Sequence, residues 1–310
     1  MAGAQPWEAE HAVDAAQATA LVAEQFPALA PVDARPLGQG WDNTAFLVNH
    51  AWVFRFPRRR VAVPLLEREA HLLPAIAPTL PLAIPVPELV GRPSNAYPWP
   101  FAGYRHLKGQ TACAAHLSET ARAAMAEPLA RFLRQLHAFP ADRAAALEAP
   151  GDELGRTDVA MRSAKARASL AQLEGVGVLA GELRRRLEIL VDAQPAAELP
   201  RPVLVHGDLY GLHLLVEGPR LGAVIDWGDV HLGHPAVDLA VAFSFLPTSA
   251  RAAFRATYGT VDEATWRLAG FRALYHSAYL AQYAHATGAT DLLREGLSAL
   301  HRLASDGTSA

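Results

Sequence analysis

The 310-residue sequence predicts an α+β fold of two lobes, a small β-rich one first and a larger, mainly helical one after it. Three observations carry this expectation. The chain is longer than an ordinary single domain. Short aromatic and β-branched runs crowd its N-terminal part. From Ser118 onward it is rich in Ala, Leu and Arg at helical spacing, broken by one strand-like island between Pro202 and Pro235.

In chain order, Ala16, Ala20, Leu21, Val22 and Phe26 predict an amphipathic helix over about Asp14 to Phe26. The segment Pro36-Leu-Gly-Gln-Gly-Trp-Asp-Asn43 is turn-rich. Thr44–Val48 and Trp52–Phe56, separated by Asn49-His50-Ala51, read as a β-hairpin. Alternation puts Val53 and Arg55 on one face of its second strand, and Trp52, Phe54 and Phe56 on the other. Leu65–Ile76 is helical and carries Glu67 and Glu69, of which Glu67 is expected to be a solvated charge. So is the run Arg58-Arg-Arg60. Proline density from Pro78 to Pro100 argues for extended chain and turns. Phe101–Leu107 is a further strand, and Lys108-Gly109 ends it, which divides the chain into residues 1–107 and 108–310. Helices follow at Glu127–Phe139, Val159–Leu173, Leu183–Ala193 and Trp266–His285. Along the last, Phe271, Tyr275, Tyr279 and Tyr283 recur every fourth residue, which reads as a packing stripe.

Composition narrows the function. The chain is 51% hydrophobic and 19% charged, enough apolar material for sizeable cores. A net charge of −3 offers no basic excess with which to neutralise nucleic-acid phosphates. The lone Cys113 rules out an internal disulfide and a multi-cysteine zinc site, and fits a reducing compartment. No apolar stretch reaches membrane-spanning length, and the N-terminus lacks the basic-then-apolar order of a signal peptide. A cytoplasmic globular protein without a membrane partner is expected; oligomeric state is left open.

The island holds the chemistry. Leu214–Glu217 and Leu221–Ile225 flank Gly218-Pro219-Arg220 as a second hairpin, with His213 before its first strand and Asp226 after its second. Paired strands lie roughly 4.8 Å apart, so these two residues share one mouth, and Asp208 lies in the loop leading to it. Such an oxygen-rich site suits Mg²⁺, which takes one or two carboxylates plus substrate phosphates. Phosphoryl transfer asks for phosphates held in line, charge neutralised by metal and an acceptor hydroxyl oriented by a carboxylate. In the N-terminal part, the Gly38-x-Gly40 turn can offer amides to phosphate oxygens, with Arg55 as a fixed positive charge on the sheet behind it.

The order of these segments resembles the aminoglycoside phosphotransferases and their macrolide and choline kinase relatives. The resemblance rests on His206-Gly-Asp-Leu, a ligand position five residues after Asp208, the hairpin ending in Ile225-Asp226 and His234-Pro-Ala-Val-Asp-Leu239. Leu37-Gly-Gln-Gly-Trp-Asp-Asn-Thr44, Val53-Phe-Arg-Phe-Pro57 and Glu67-Arg-Glu-Ala70 extend it, so that it spans about Leu37 to Leu246. It implies a protein-kinase-like fold and transfer of the γ-phosphoryl of ATP or GTP to a hydroxyl of a small acceptor. It makes residues 1–107 nucleotide-binding, and 108–310 the lobe of catalytic loop, metal and acceptor. Asp208 is then the catalytic carboxylate and Asp226 the main metal ligand, with His213 as the second. Glu69 pairs with the phosphate-binding cation, Val53 packs on the base, and Tyr104 to Leu107, His106 included, give it backbone contacts. Asp238 braces the catalytic loop, and His206 is structural. Two positions depart from the commonest family pattern. Arg55 stands where lysine is usual, for no lysine precedes Lys108, and His213 stands for asparagine, as in the macrolide branch. A nucleotide-binding pseudokinase is therefore the alternative. A metal-dependent hydrolase built on His206, Asp208, His213, Asp226, His231, His234 and Asp238 is a weaker one.

Overall fold

The computed structural model describes residues 9–40, 42–193 and 201–306. Its contacts divide the chain into two compact units. The first runs up to Pro78 and takes in Ile84–Leu107; the second comprises Thr79–Ala83 and everything from Lys108.

The first unit is a twisted antiparallel sheet with a helix on each face. The strands are β1 (Ala34–Gln39), β2 (Asn43–Val48), β3 (Trp52–Pro57), β4 (Pro87–Gly91) and β5 (Phe101–Arg105), in the order β1-β2-β3-β5-β4. Between β2 and β3 the chain reverses through Asn49 and His50, both in the left-handed conformation with φ of 51° and 55°. Asn49 suits that place because its amide also bonds Leu29 O at 2.7 Å and its oxygen accepts from Asp33 N at 2.9 Å. Helix α1 (Ala15–Gln25) starts at Asp14, whose side chain accepts from Gln17 N, and lays Leu21 and Val22 on the sheet. The face it covers is aromatic: Phe46, Phe54, Phe56, Tyr97 and Phe101 are buried together, and Phe56 stacks on Phe101 at 4.6 Å. The expected alternation along β3 holds, with Trp52, Phe54 and Phe56 buried and Val53 and Arg55 on the opposite face. That second face receives α2 (Val63–Ile76), through Leu66 against Ala102 and Tyr104.

The second unit is mainly helical. Short strands β6 (Gln110–Thr111), β8 (Leu214–Glu217) and β9 (Arg220–Val224) form one sheet, and β7 (Val203–Val205) pairs with β10 (His231–Gly233). Residues 79–83 join this unit because Ala83 exchanges backbone bonds with Gly222 and Val224 beside β9. The helices are α3 (Glu119–Ala124), α4 (Ala126–His137), α5 (Ala141–Ala146), α6 (Val159–Gly175), α7 (Gly181–Asp192), α8 (Ala236–Leu239), α9 (Val241–Ser244), α10 (Arg251–Tyr258), α11 (Glu263–Thr287) and α12 (Thr290–Asp306). Helix α11 is the spine: it packs on α6, α8 and α12, starts at the Asp262 cap and stops at left-handed Gly288. Its aromatic stripe is divided. Phe271 and Tyr275 are core, whereas Tyr279 keeps 47% of its surface exposed. Among the described residues no helix is long and apolar enough to cross a membrane.

Two aromatic rings lie over glycines of the sheet, and this sets how tightly it packs. A Cβ on Gly103 would stand 2.7 Å from Cζ of the buried Phe54 ring, and one on Gly91 would stand 2.3 Å from the Phe101 ring. Gly103→Ala should therefore force Phe54 off its position and cost about 1–3 kcal/mol. Urea unfolding checks it: the midpoint should fall with the slope unchanged, and an unmoved midpoint would mean that the ring repacks freely.

Candidate active site

The loop after β7 is held by a single carboxylate. Asp238, fully buried on α8, accepts from the amide of His206 at 2.7 Å and from that of Gly207 at 2.9 Å. His137 Nε2 lies 3.2 Å from the same side chain, and its Nδ1 lies 2.8 Å from the Tyr258 hydroxyl. Burial pushes the Asp238 carboxyl up, and the hydrogen bonds from His137 and the Gly207 amide outweigh it, leaving it below the usual range. Between the two held amides the chain needs glycine. Gly207 has φ of 90°, and a Cβ there would meet Asp229 O at 2.2 Å.

His206 ties this loop to the hairpin. Its Nε2 donates to Ile225 O at 3.0 Å, so Nδ1 is bare and accepts from the Asp208 amide at 3.3 Å. Complete burial pushes the ring's pKa down and keeps it neutral. The histidine that the sequence marks as structural is spent on two backbone groups.

Asp208, His213 and Asp226 meet at the hairpin mouth. A short 3₁₀ turn, Gly211–His213, delivers His213 to the start of β8, and Ile225 N closes the mouth by bonding His213 O at 2.9 Å. His213 Nδ1 donates to Asp208 O at 2.7 Å and lies 3.7 Å from Asp208 Oδ2. Its Nε2 lies 3.4 Å from Asp226 Oδ2. Asp226 adopts φ of 65°, the left-handed conformation that turns the chain sharply after β9. With the Nδ1 proton given to a carbonyl, a neutral His213 bears its lone pair on Nε2, beside the Asp226 carboxylate. That donor pair fits a divalent ion whose remaining ligands come from elsewhere, such as phosphate oxygens. Among the described residues no group of three or more His, Cys, Asp or Glu side chains could hold a metal by itself. His231 Nδ1 bonds Asp229 O and His234 Nδ1 accepts from Ala236 N, and neither ring joins such a group, as the hydrolase alternative would require.

Sequence reading missed the partners that surround Asp208. His276 Nε2 lies 3.0 Å and Arg272 Nη2 3.7 Å from Asp208 Oδ1, both from α11. Burial works against the Asp208 charge, but the hydrogen bond from His276, with the Arg272 charge behind it, outweighs it, so the carboxyl stays well below the usual range. Asp208 keeps 24% of its side chain exposed, enough for a substrate to reach. Arg156 lies 2.7 Å from Asp229 and 3.1 Å from Asp152. Asp229 is nonetheless pushed up, by burial and then by the charge of Asp208. The one signal in the sequence was the spacing of Arg272 and His276, four residues apart and so on one helix face.

In the first unit, Arg55 Nη1 lies 3.1 Å from both oxygens of Glu69, and Tyr104 Oη donates to Glu69 Oε2 at 2.8 Å. Glu69 is buried and Glu67 exposed. Val53 stands on the Arg55 face of β3. His106 N donates to Ala51 O at 2.9 Å, so its amide is committed within the sheet. Gly38 pairs with Ala45 at the end of β1, and Gly40 follows it. A Cβ at Gly38 would meet nothing within 4 Å, and one at Gly40 only Asn43 O at 3.9 Å, so the chain's own packing requires neither glycine. The arginine run is a correction. It is more than a solvated patch, because Arg58 Nη1 bonds Gly40 O at 2.7 Å and Arg59 pairs with Asp42 at 2.5 Å, anchoring both sides of the glycine turn.

The geometry has a counterpart among known proteins. Residues 33–274 match the profile of the phosphotransferase enzyme family. The chain belongs to that family. Among curated protein sequences none matches it. A mutant of aminoglycoside 2′-phosphotransferase-IIIa, solved with GDP, is 26% identical over 95% of this chain and 99% of its own, with a TM-score of 0.73. The GDP and kanamycin complex of the same kind of enzyme is 26% identical over 93% and 98%, with a TM-score of 0.69. A macrolide 2′-phosphotransferase from Brachybacterium faecium, solved as the apoenzyme, is 26% identical over 93% and 97%, with a TM-score of 0.61. The α+β, kinase-like expectation therefore holds, and the family member is an enzyme of nucleotide-dependent phosphoryl transfer to small-molecule hydroxyls.

The Asp238 brace has a measurable signature. A carboxyl depressed in the folded state adds stability above its unfolded pKa, about 3.9, and loses it as pH falls toward the folded value. Asp238→Asn sets an amide donor against a backbone N–H and should cost about 1–3 kcal/mol at pH 7. The gap between parent and variant should narrow below about pH 4. Urea melts at pH 7, 5 and 3 measure it, and a gap that does not change with pH would mean that the charge of Asp238 is not what braces the loop.

Proposed function

We propose that the chain transfers the γ-phosphoryl of GTP or ATP to a hydroxyl of an antibiotic-like or metabolite acceptor, in a Mg²⁺-dependent reaction with Asp208 as the catalytic carboxylate. The observation that supports this most is the meeting of Asp208, His213 and Asp226 at one hairpin mouth. Asp226 and His213 would hold the metal, which neutralises charge on the phosphates when bound. Asp208 remains ionised, and orients and finally accepts the proton of the attacking hydroxyl. Imidazole is a less natural Mg²⁺ ligand than an amide oxygen, yet the tautomer imposed by Asp208 O leaves Nε2 as the available donor.

On the nucleotide side, Arg55 is the cation assigned to the phosphates. Glu69 and Tyr104 fix its guanidinium, and the turn at Gly38 and Gly40 is assigned to the phosphates because side chains are absent there, although the Gly40 amide itself bonds Asn43 O at 2.9 Å. Val53 is assigned to the base. Backbone contact to the base from Tyr104–Leu107 would come from groups other than the amide of His106. Similar enzymes have been solved with GDP and with ATP, so both nucleotides belong to the reading. The domain roles follow: residues 1–107 bind nucleotide, and 108–310 carry catalysis and acceptor. A single buried cysteine and a nucleotide donor suit the cytoplasm.

A coupled assay with GTP and with ATP, with and without Mg²⁺, over a panel of aminoglycosides, macrolides and simple polyols tests the reading. Asp208→Asn should keep nucleotide affinity and lose turnover by roughly 10²–10⁴-fold. Undiminished turnover in the folded variant would remove Asp208 from the mechanism, and nucleotide binding without transfer to any acceptor would favour the pseudokinase alternative. Arg55→Ala should weaken nucleoside triphosphate far more than nucleoside in calorimetry. Equal losses for the two ligands would make Arg55 a structural charge.

A further inference from the structure

The carboxylate of Asp208 is held asymmetrically. Oδ1 lies 3.0 Å from His276 Nε2 and 3.7 Å from Arg272 Nη2. Oδ2 lies 3.7 Å from His213 Nδ1, whose proton is already directed at the backbone carbonyl of Asp208 at 2.7 Å. Of these groups, His276 alone is within hydrogen-bond distance of the carboxylate. Arg272 is further off, and its Nη2 also donates to Gly207 O at 3.4 Å.

The state of the His276 ring follows from its surroundings. Burial, then the charge of Arg272, pushes its pKa down to about 4 against the opposing pull of Asp208. The ring is therefore neutral near pH 7, and a neutral imidazole beside a carboxylate presents its N–H to it. The Tyr210 ring meets it edge-on, with centroids 5.2 Å apart and planes at 81°. The ring is carried by α11, and the Tyr210 ring flanks it. A neutral donor aligns the carboxylate without cancelling the charge that makes it a base, which a closer guanidinium would do.

We propose that His276 is a positioning residue for Asp208: its Nε2–H fixes Oδ1 and so presents Oδ2 to the hydroxyl of the acceptor. This rests on the phosphotransferase reading above. Transfer depends on the angle and distance at which the hydroxyl meets the base, and a misplacement of about 1 Å can cost about 100-fold in rate. Without His276 the carboxylate is free to turn about its Cβ–Cγ bond toward Arg272 or His213, and the oxygen meant for the acceptor loses its direction. The effect belongs in kcat, because neither nucleotide nor acceptor needs this bond in order to bind.

The test compares the parent with His276→Phe, which keeps a ring against Tyr210 but has no donor, and His276→Gln, whose amide N–H reaches a similar point. Each is assayed with the best acceptor and with water as acceptor, and nucleotide Kd is measured by calorimetry to confirm a folded site. The Phe variant should lose about 10- to 100-fold in kcat, with acceptor KM and nucleotide Kd within about twofold of the parent. The Gln variant should recover most of the loss. A Phe variant with parental kcat overturns the inference while leaving the phosphotransferase reading intact. So does an equal loss in Phe and Gln, which would mark a packing role, or a loss confined to KM. No turnover in the parent with any acceptor or with water overturns both together.

Discussion

Asp238 accepts hydrogen bonds from the amides of His206 and Gly207, and what those bonds hold still places the remainder of the acidic site. With the loop pinned there, the His206 ring reaches Ile225 O and fastens the loop to the end of β9. Asp226 is the next residue, so the loop and the hairpin mouth share one frame. The brace reaches outward through His137 to Tyr258, which brings α4 and α10 into the support of a loop to which neither contributes a residue. Loss of the carboxylate leaves two buried amides without partners, each worth about 1–3 kcal/mol.

Around this frame the main chain decides which nitrogen of each histidine carries the proton. His206 gives Nε2–H to Ile225 O, and His213 gives Nδ1–H to Asp208 O. A carbonyl oxygen can only accept, so each ring is left with one defined lone pair. For His206 that lone pair receives the amide of Asp208, and for His213 it faces Asp226. The site is thus preorganised by backbone geometry before any ligand arrives, which is the condition under which fixed dipoles act without reorganisation.

Local pattern sufficed where the chemistry is local. The period-2 burial of Trp52, Phe54 and Phe56 and the hairpin that brings His213 to Asp226 were readable from neighbouring residues. The pairing of Arg55 with Glu69 came from the family resemblance and not from local pattern, and the structure shows the ion pair. What escaped is non-local. Arg272 and His276 reach Asp208 over more than sixty positions of chain, and nothing at positions 272 or 276 reveals the loop they face. Arg58 and Arg59 look like a solvent-facing run until the fold returns the glycine turn to them. The aromatic stripe of α11 was legible as a stripe, but its division into buried Phe271 and exposed Tyr279 depends on which helices happen to cover each turn.

Arg55 has a practical consequence for how this protein is detected. A guanidinium does not lose its proton under physiological conditions and is a poor nucleophile, whereas a lysine amine at a phosphate site can be acylated. Nucleotide-based reagents that mark kinases by acylating that amine have nothing to react with at position 55. The chain's two lysines, Lys108 and Lys165, both come later in the sequence, outside the sheet that carries Arg55. With Arg55 assigned to the phosphates as proposed, a proteome survey that relies on such labelling would find no amine at that position. Enrichment on immobilised nucleotide, which asks only for reversible binding, would retain the protein.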